Sequence, residues 1–463
     1  MQNQLSCAGV GYNLPDGKPL FTSLNFTLGP LKTGIVGRNG TGKTTLLDLL
    51  SGRVSPARGR IIRDGVVSYV RQHDLLHSGA TVAQAIGVAA IISAHYRISA
   101  GNGVPEDYEL LNDRWDLPEV LAALMAEVGV GHISLDRTIA SLSGGELMRA
   151  RVAGALVDKP DFLFLDEPTN HLDLSGRRFV YELVESWNRG LLVVSHDRAL
   201  LARVDQMAEL GPMGLKLYGG NWEVYCELRR TERSAAEQDL ASARASLVRT
   251  KAAAQEARER QDRRSSAGKK NIVKRGISPM QAGNLKRRAQ ATASKLAGRH
   301  AEKLLEATYR FDEAKKLART EDNIAVGLKL APVPPARRLI ELADVNYKYP
   351  DSAGLLWKKS LTFTVFGRER IWLKGSNGSG KSTLLDLILG TKQPSCGEVK
   401  KGTARVAILD QAVRVLRPQL SVLENVRWAA SSRPDIELRN LLGRFMFRGD
   451  LALHKAATLS GGE

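Results

Sequence analysis

The sequence predicts an α/β fold in which two copies of one domain, the second incomplete, are joined by an α-helical hairpin. The main observation is an internal repeat: GIVGRNGTGKTTLLDLLSG at 34–52 returns as WLKGSNGSGKSTLLDLILG at 372–390. A shorter run, LSGGE, occurs at 142–146 and again at 459–463. Between the copies lies a long stretch rich in Ala, Arg, Glu and Gln, a composition that favours helix.

The repeats and the composition set the predicted domain boundaries. The first domain is expected at 1–228, a basic helical linker at 229–338 and the second domain at 339–463. Two helices are expected within about 222–318, with a break around Gly268, Gly276, Pro279 and Gly283. The run APVPPARR at 331–338 marks the entry to the second domain, because proline cannot continue a helix.

The composition is that of a globular protein with a strongly basic balance. Of the 463 residues 43% are hydrophobic, and the net charge is +18. No run of eighteen apolar residues predicts a membrane span, and the N-terminus does not resemble an export signal. The 3 cysteines lie far apart, so we expect small buried side chains rather than a disulfide framework, and a cytosolic protein.

Each copy contains a phosphate-binding loop, GRNGTGKT at 37–44 and GSNGSGKS at 375–382. Glycines let backbone amides curve around a polyphosphate, and the loop leads into a helix whose N-terminus favours anions. The apolar runs TGIVG and RIWLKG predict a strand before each loop. The predicted ATP-binding residues are Gly37, Arg38, Asn39, Gly40, Thr41, Gly42, Lys43 and Thr44, and Gly375, Ser376, Asn377, Gly378, Ser379, Gly380, Lys381 and Ser382. Lys43 and Lys381 would reach the outer phosphates, and Thr44 and Ser382 would coordinate Mg²⁺.

Two apolar runs in the first copy end in polar side chains suited to hydrolysis. FLFLDEPTNHLD at 162–173 predicts a buried parallel strand that ends in Asp166 and Glu167. Asp166 would hold Mg²⁺ through water, and Glu167 would orient or deprotonate the attacking water. LLVVSHDR at 191–198 predicts a second buried strand, after which a neutral His196 can hydrogen-bond the γ-phosphate.

The order of these motifs resembles that of the ATP-binding cassette ATPases, in both halves of the chain. The resemblance implies two P-loop ATP-binding cassette domains, with LSGGE of one facing the phosphate loop of the other and ATP between them. It adds the signature residues Ser143, Gly144 and Gly145, and Ser460, Gly461 and Gly462. It also makes Gln72 a catalytic and metal-contacting residue and Gln411 its counterpart. Tyr12 and Tyr349 resemble the aromatic that stacks on adenine, with Tyr347 as an alternative to Tyr349, and Asp173 the residue that links the two sites.

Three features resemble the soluble, translation-type branch of the family, ABC-F: DEPTNHLD, the run LYGGNWEVY at 217–225, and the basic linker. This resemblance implies a ribosome partner, with the linker tip at about 263–286 reaching toward tRNA. Residues 229–338 hold 27 Lys and Arg against 12 Asp and Glu, a charge that favours a polyanion. No aromatic residue occurs between Glu227 and Thr308, which favours folded RNA over a single strand. The predicted RNA contacts are Arg263, Arg264, Lys269, Lys270, Lys274, Arg275, Lys286, Arg287 and Arg288.

Several alternatives remain open. The linker could be a solvated spacer. The protein could act on DNA in repair or transposon excision, serve a transporter as its ATP-binding subunit, or sequester nucleotide or RNA without catalysis. Some ABC-F members carry an arm between the glutamine and LSGGE of the first copy. Here that interval is 22 residues longer than in the second copy, enough for a short excursion around YRISAGNGVPEDYELLNDRW.

The second copy reaches its LSGGE run without counterparts of the acidic strand and the histidine strand. Because parallel strands need neighbours on both sides, we expect exposed apolar surface there. The sequence is therefore interpreted as a fragment of a longer protein or an incomplete gene model. We expect the chain to bind ATP through the first copy and to hydrolyse it slowly.

Overall fold

The computed structural model describes residues 3–15, 17–71, 79–211, 214–274, 279–318, 333–350, 354–402, 406–409, 415–431 and 433–459, and their side chains outside 264–293. The described chain forms two compact bodies. One contains Met1–Tyr225, Leu328–Ser421 and Lys455–Glu463, and the other Cys226–Gly327 and Val422–His454.

The first copy is built of strands with helices packed on them. Its strands are β1 (Leu5–Asn13), β2 (Pro19–Leu28), β3 (Lys32–Val36), β4 (Arg58–Arg63), β5 (Val67–Val70), β6 (Phe162–Asp166), β7 (Gly190–Val194), β8 (Gln206–Gly211) and β9 (Gly214–Gly219). Its helices are α1 (Lys43–Leu50), α2 (Val82–Ala85), α3 (Ala89–Ser99), α4 (Pro105–Leu111), α5 (Leu117–Glu127), α6 (Gly144–Leu156), α7 (Leu174–Ser186) and α8 (Arg198–Leu201). The α/β fold class is confirmed.

The central sheet runs in the order β5-β6-β7-β3-β8-β9 and is parallel up to β8. Every residue of β6 and β7 is buried, as in parallel strands covered on both faces. Phe162 and Phe164 of β6 pack with α1, whereas Leu163 and Leu165 pack on the opposite face. Val194 aligns with both Asp166 and Ile35, so β3, β6 and β7 end at one edge of the sheet. This edge brings the phosphate loop, the carboxylates and His196 together.

A second, antiparallel sheet in the order β2-β1-β4 completes the first copy. The same arrangement recurs in the second copy, as the repeat predicts. Its strands are β10 (Arg338–Asn346), β11 (Leu361–Phe366) and β12 (Cys396–Lys401), in the order β11-β10-β12. A small core of Leu342, Val345, Leu384 and Leu387 joins this sheet to the helix after the second phosphate loop.

The other body contains most of the linker. Its long helices are α9 (Trp222–Lys274), which starts in the first body, and α10 (Pro279–Ala318). The predicted breaks at Gly268 and Gly283 are wrong, because both residues lie within helices, where a glycine costs only about 1 kcal/mol. Pro279 is the first residue of α10, a position that needs no backbone N–H. Leu240 and Val248 of α9 line one cleft with Phe311 of α10, as expected for two arms of a hairpin.

The remaining helices belong to the second copy and are α11 (Lys381–Leu389), α12 (Val422–Ala429) and α13 (Asp435–Arg444). The strand expected at RIWLKG, 370–375, is wrong, because these residues have no strand assignment. The described apolar residues 406–409, which precede Gln411, are not in a strand either. The strand equivalent to RIWLKG in the first copy, β3, pairs with β7 and β8, and the described residues of the second copy contain no strands that correspond to these two. The predicted apolar exposure is confirmed, since Trp372 is 79% and Leu409 86% exposed.

Within the described residues, no helix is long and apolar enough to span a membrane. All three cysteines are free. Cys7 is buried as expected, but Cys396 is exposed because it begins β12 at the sheet surface.

Candidate active site

The first phosphate loop connects β3 to α1 and depends on left-handed glycines. Gly40 and Gly42 have φ of 77° and 89°. A Cβ on Gly42 would lie 2.7 Å from the Cδ2 atom of Leu20 and 2.7 Å from the Cζ atom of Phe21, so the loop also needs glycine for space. The Lys43 ammonium donates to the carbonyls of Gly37 (2.9 Å) and Arg38 (3.2 Å). When a nucleotide binds, phosphate oxygens can replace these carbonyl oxygens as acceptors for the Lys43 ammonium.

Asp166 lies beside this loop and carries one unsatisfied oxygen. Its Oδ2 accepts hydrogen bonds from the hydroxyls of Thr44 (2.8 Å) and Tyr69 (3.2 Å). Its Oδ1 is buried and has no hydrogen-bond partner among the described residues. Burial raises the pKa of Asp166, an effect that the two hydroxyls oppose. A buried carboxylate oxygen without a partner, next to a threonine hydroxyl, fits a hard cation such as Mg²⁺.

Glu167 follows β6 at the same edge of the central sheet and has an unusual backbone conformation. Its φ is 47°, and its N–H donates to the Val194 carbonyl at 2.8 Å. Its carboxylate accepts a hydrogen bond from the His196 N–H (3.4 Å), and the His196 Nε2 atom lies 3.6 Å from Oε1. Left-handed non-glycine residues concentrate at functional sites.

Burial sets the protonation states around Glu167. It raises the pKa of Glu167 to about 7, with the His196 N–H opposing the rise and Asp166 adding to it. Burial also lowers the pKa of Lys43 and, with the charge of Lys43, that of His196. A carboxylate that can exchange a proton near neutral pH, next to a neutral imidazole, suits a general base.

A network behind Asp166 was not predicted from the sequence. The Tyr69 ring, whose hydroxyl binds Asp166, lies below the guanidinium groups of Arg53 and Arg71, at 5.2 and 5.7 Å. Arg71 in turn donates to both carboxylate oxygens of Asp48 on α1, at 2.7 and 2.8 Å. Alternation along β5 could have placed Tyr69 on the α1 side of the sheet, but not its hydrogen bond.

The second phosphate loop has nearly the same geometry. Gly378 and Gly380 have φ of 77° and 88°, and Lys381 donates to the carbonyls of Gly375 (2.8 Å) and Ser376 (2.7 Å). The Trp357 indole donates to the Ser379 carbonyl at 3.0 Å and packs against Gly380. Leu356 and this tryptophan occupy the place of Leu20 and Phe21, since a Cβ on Gly380 would lie 2.7 Å from the Cδ2 atom of Leu356 and 2.9 Å from the Trp357 indole nitrogen. The sequence alone did not identify the tryptophan.

The two copies meet at the second phosphate loop. The Asn377 N–H donates to Asp173 Oδ2 (3.3 Å), and its side-chain amide donates to the His171 carbonyl (3.2 Å). A cavity of about 610 Å³ lies here, lined by this loop, by His171–Leu174 and Arg177 of the first copy, and by Tyr349. Asp173 also caps α7 through the Gly176 N–H, which lowers the pKa of its carboxyl group. The structure therefore pairs the two cassettes within one chain and places Asp173 between them.

Other predicted residues lie near these loops or outside the described part. The Tyr349 hydroxyl is 2.6 Å from the Thr383 hydroxyl and its ring lines the cavity, whereas Tyr347 packs in the core. Tyr12 is half-buried on β1, opposite Phe21. Ser143 caps α6 through Glu146, and residues 143–145 are not among those that line the cavity.

The structure does not test every predicted contact. Six predicted site residues lie outside the described part of the chain: Gln72, Arg275, Gln411, Ser460, Gly461 and Gly462. Seven of the predicted RNA contacts lie on α9 or α10, but their side chains are not among those described: Arg264, Lys269, Lys270, Lys274, Lys286, Arg287 and Arg288. Of the predicted RNA contacts, only Arg263 has one, and it is exposed on α9.

Comparison with known proteins identifies the family. The family model described as ABC transporter matches residues 21–170 and 358–463, more than half of the chain, and includes both phosphate loops. The chain is 28% identical over 461 residues to ABC transporter F family member 5 of Arabidopsis thaliana, covering 93% of this chain and 61% of that protein. It is 26% identical over 465 residues to YdiF of Bacillus subtilis, named as an ATP-binding protein, covering 93% and 65%. It is 28% identical over 447 residues to YheS of Escherichia coli K12, also named as an ATP-binding protein, covering 93% and 64%.

The chain thus spans less than two thirds of the length of these relatives. The family model matches in two regions, around the two phosphate loops that the structure describes. The chain therefore belongs to the ABC transporter family, as a tandem ATP-binding cassette protein whose relatives are of the ABC-F type.

Proposed function

We propose that the protein hydrolyses ATP to ADP and phosphate at the first phosphate loop, in a reaction that depends on Mg²⁺. The observation that carries this proposal is the carboxylate pair at the loop. Asp166 presents a buried oxygen with no described partner beside Thr44, and Glu167 is buried with a pKa of about 7. These are the two functions that hydrolysis needs, a cation site and a base, next to a phosphate site.

The side chains around the first phosphate loop have separate roles in the proposed reaction. Lys43 exchanges its bonds to the loop carbonyls for bonds to the outer phosphates. Thr44 and Asp166 would hold Mg²⁺, which supplies charge neutralisation for the phosphates. Glu167 orients the water and accepts its proton, and His196, neutral because its pKa is lowered, donates a hydrogen bond to the γ-phosphate. At the second loop, the Tyr349 ring is suited to stack on adenine.

A single-turnover assay tests the assignment of Glu167, because it detects hydrolysis even when turnover is slow. With enzyme in excess over labelled ATP, Glu167→Gln should reduce the hydrolysis rate by about 10²- to 10⁴-fold while leaving ATP binding intact. Glu182→Gln, an exposed change on α7, serves as the control and should leave the rate unchanged. Equal rates for Glu167→Gln and wild type would refute the role of Glu167.

We further propose that the protein acts on ribosomes as a translation factor or ribosome-protection protein, and that its linker contacts folded RNA. A helix of 53 residues, the length of α9, extends about 80 Å. Between Arg258 and Arg288 the sequence contains 11 basic and 2 acidic residues. Described ion pairs such as Arg233–Glu237 and Arg310–Glu306 lie outside this interval and neutralise charge in the parts of the linker that are nearer the cassettes in sequence. The charge excess at the tip supports a phosphate backbone as partner.

Co-sedimentation tests the ribosome proposal. The Glu167→Gln protein with ATP should pellet with ribosomes. Replacing Lys286, Arg287 and Arg288 by Gln should weaken binding and reduce the slope of log affinity against log salt by about 2 to 3. The matched control replaces Lys295, Arg299 and Lys303, exposed on the same helix, and should have a smaller effect.

The outcome separates the proposal from its alternatives. Protein that stays in the supernatant with ATP but binds branched DNA would favour a role in DNA repair or transposon excision. Co-purification with a membrane protein would favour a transporter subunit. Either result would refute the ribosome proposal and leave the proposal of ATP hydrolysis standing.

A further inference from the structure

Three large aromatic side chains are exposed together on the first copy, within the excursion that precedes LSGGE. Tyr96 on α3 is 64% exposed, Tyr108 on α4 is 53% exposed, and Trp115 in the following turn is 47% exposed. Their rings form a chain of edge contacts through His95. The centroids are 6.1 Å apart for His95 and Tyr96, 6.4 Å for His95 and Trp115, and 6.2 Å for Tyr108 and Trp115.

The surroundings of these rings are acidic, although the whole chain carries a net charge of +18. Residues 96–119 contain 6 Asp and Glu against 2 Arg. Both arginines are already paired: Arg97 with the buried Asp107, and Arg114 with Asp158 at 3.2 Å. Among the described residues, no ion pair involves Glu106, Glu109, Asp113 or Asp116, and all four are exposed. The uncompensated charge of the segment is therefore negative.

We refer to the three rings Tyr96, Tyr108 and Trp115 with the four carboxylates Glu106, Glu109, Asp113 and Asp116 as the acidic aromatic patch. The patch is fixed in place because Arg97 of α3 binds Asp107 of α4, and Asp107 also accepts the Val104 N–H at 3.2 Å. Surface aromatics that are held in one arrangement lose little entropy when they bind a partner.

The chemistry of the patch selects a cationic partner. Aromatic faces attract Lys and Arg side chains, and Arg most strongly, when these groups lie within about 6 Å of the ring centre. The carboxylates add long-range attraction for the same groups and repel nucleic acid and anionic lipid. We propose that the acidic aromatic patch binds an arginine- or lysine-rich peptide segment of a partner protein. The charge of this patch is negative, whereas that of the linker is positive. The proposal does not depend on the ribosome proposal.

A peptide titration tests the proposal on the whole chain. The probe is a dye-labelled dodecapeptide of alternating Arg and Gly, and its binding is followed by fluorescence anisotropy. Saturable binding is expected. Replacing both Tyr108 and Trp115 by Ala should weaken it by about tenfold, as loss of two cation–π contacts predicts. The triple change Glu109→Gln, Asp113→Asn and Asp116→Asn should weaken it to a similar extent, and it removes no packed atom.

The matched control changes three exposed acidic residues elsewhere on the first copy, Asp64→Asn, Asp136→Asn and Glu182→Gln. It should leave the affinity within about twofold of wild type, because isolated surface charges contribute little. The proposal is overturned if the control triple weakens binding as much as the patch triple. It is also overturned if the peptide shows no saturable binding to the wild-type chain.

Discussion

Glu167 shows how one residue can be unfavourable for the fold and useful for chemistry. It is 9% exposed, follows a fully buried strand and has φ of 47°. Positive φ in a residue other than glycine costs on the order of 1 kcal/mol, and burial opposes its negative charge. The sequence DEPT predicts a carboxylate here, but not its strained backbone or its high pKa.

The raised pKa of Glu167 predicts a pH dependence of stability. The folded pKa of about 7 lies above the ordinary value of 4.5, so the folded state holds this proton more tightly than the unfolded state. Its contribution is fully present below about pH 4.5 and is lost as the pH rises through about 7. Glu167→Gln cannot ionise, so its free energy of unfolding relative to wild type should rise by about 2.5 kcal/mol between pH 5 and pH 8, since one pKa unit corresponds to about 1.4 kcal/mol. Urea denaturation at both pH values measures this, and a pH-independent difference would contradict it.

At the scale of elements, the turn before α7 contacts the second copy through the Asp173 side chain and the His171 carbonyl. Asp173 accepts from Gly176 N–H (2.9 Å) and the Ser175 hydroxyl (2.7 Å) with one oxygen, and from Asn377 N–H with the other. The sequence resemblance implied that Asp173 links the two sites, and the structure adds that it caps a helix.

Removal of this cap should be measurable. Asp173→Ala should lower the free energy of unfolding by about 1 kcal/mol, because the first turn of α7 loses its acceptor. Asp173→Asn keeps an acceptor oxygen and should lose less than half of that amount. If urea denaturation gave equal losses for both variants, the cap would not be the stabilising contact.

Apolar runs were correctly predicted as strands where neighbouring strands are present, and wrongly where such strands are not described. Phe162–Asp166 and Gly190–Val194 are continuous apolar runs flanked by other strands, and both predictions are confirmed. The runs at 370–375 and 406–409 are similarly apolar but are not strands. An apolar run predicts a strand only where partner strands can satisfy its backbone. The Tyr69 and Trp357 hydrogen bonds escaped prediction because they join residues that tertiary structure alone brings together.

At the scale of the whole molecule, the second copy has apolar side chains in solvent. Leu409 is 86% exposed, and exposed apolar surface promotes self-association of a protein. Leu409→Lys should therefore reduce self-association while changing the free energy of unfolding by less than about 0.5 kcal/mol. Leu342→Lys, at a buried position of the same copy, provides the contrast and should destabilise by about 3 kcal/mol or more. Light scattering and urea denaturation measure the two effects. Undiminished association of Leu409→Lys would show that this surface is not the cause.

Equilibrium binding of labelled ATP to Lys43→Ala, Lys381→Ala and the double variant tests the central claim most directly, namely that the two phosphate loops bind nucleotide. Each lysine donates to its own loop carbonyls, and neither forms an ion pair within 4 Å among the described residues, although the charges of Glu167 and Asp166 act on Lys43. Alanine therefore removes the ligand contact without breaking a described salt bridge. Saturable uptake should weaken in the Lys43→Ala variant and disappear in the double variant. Uptake by the double variant equal to that of wild type would contradict the account.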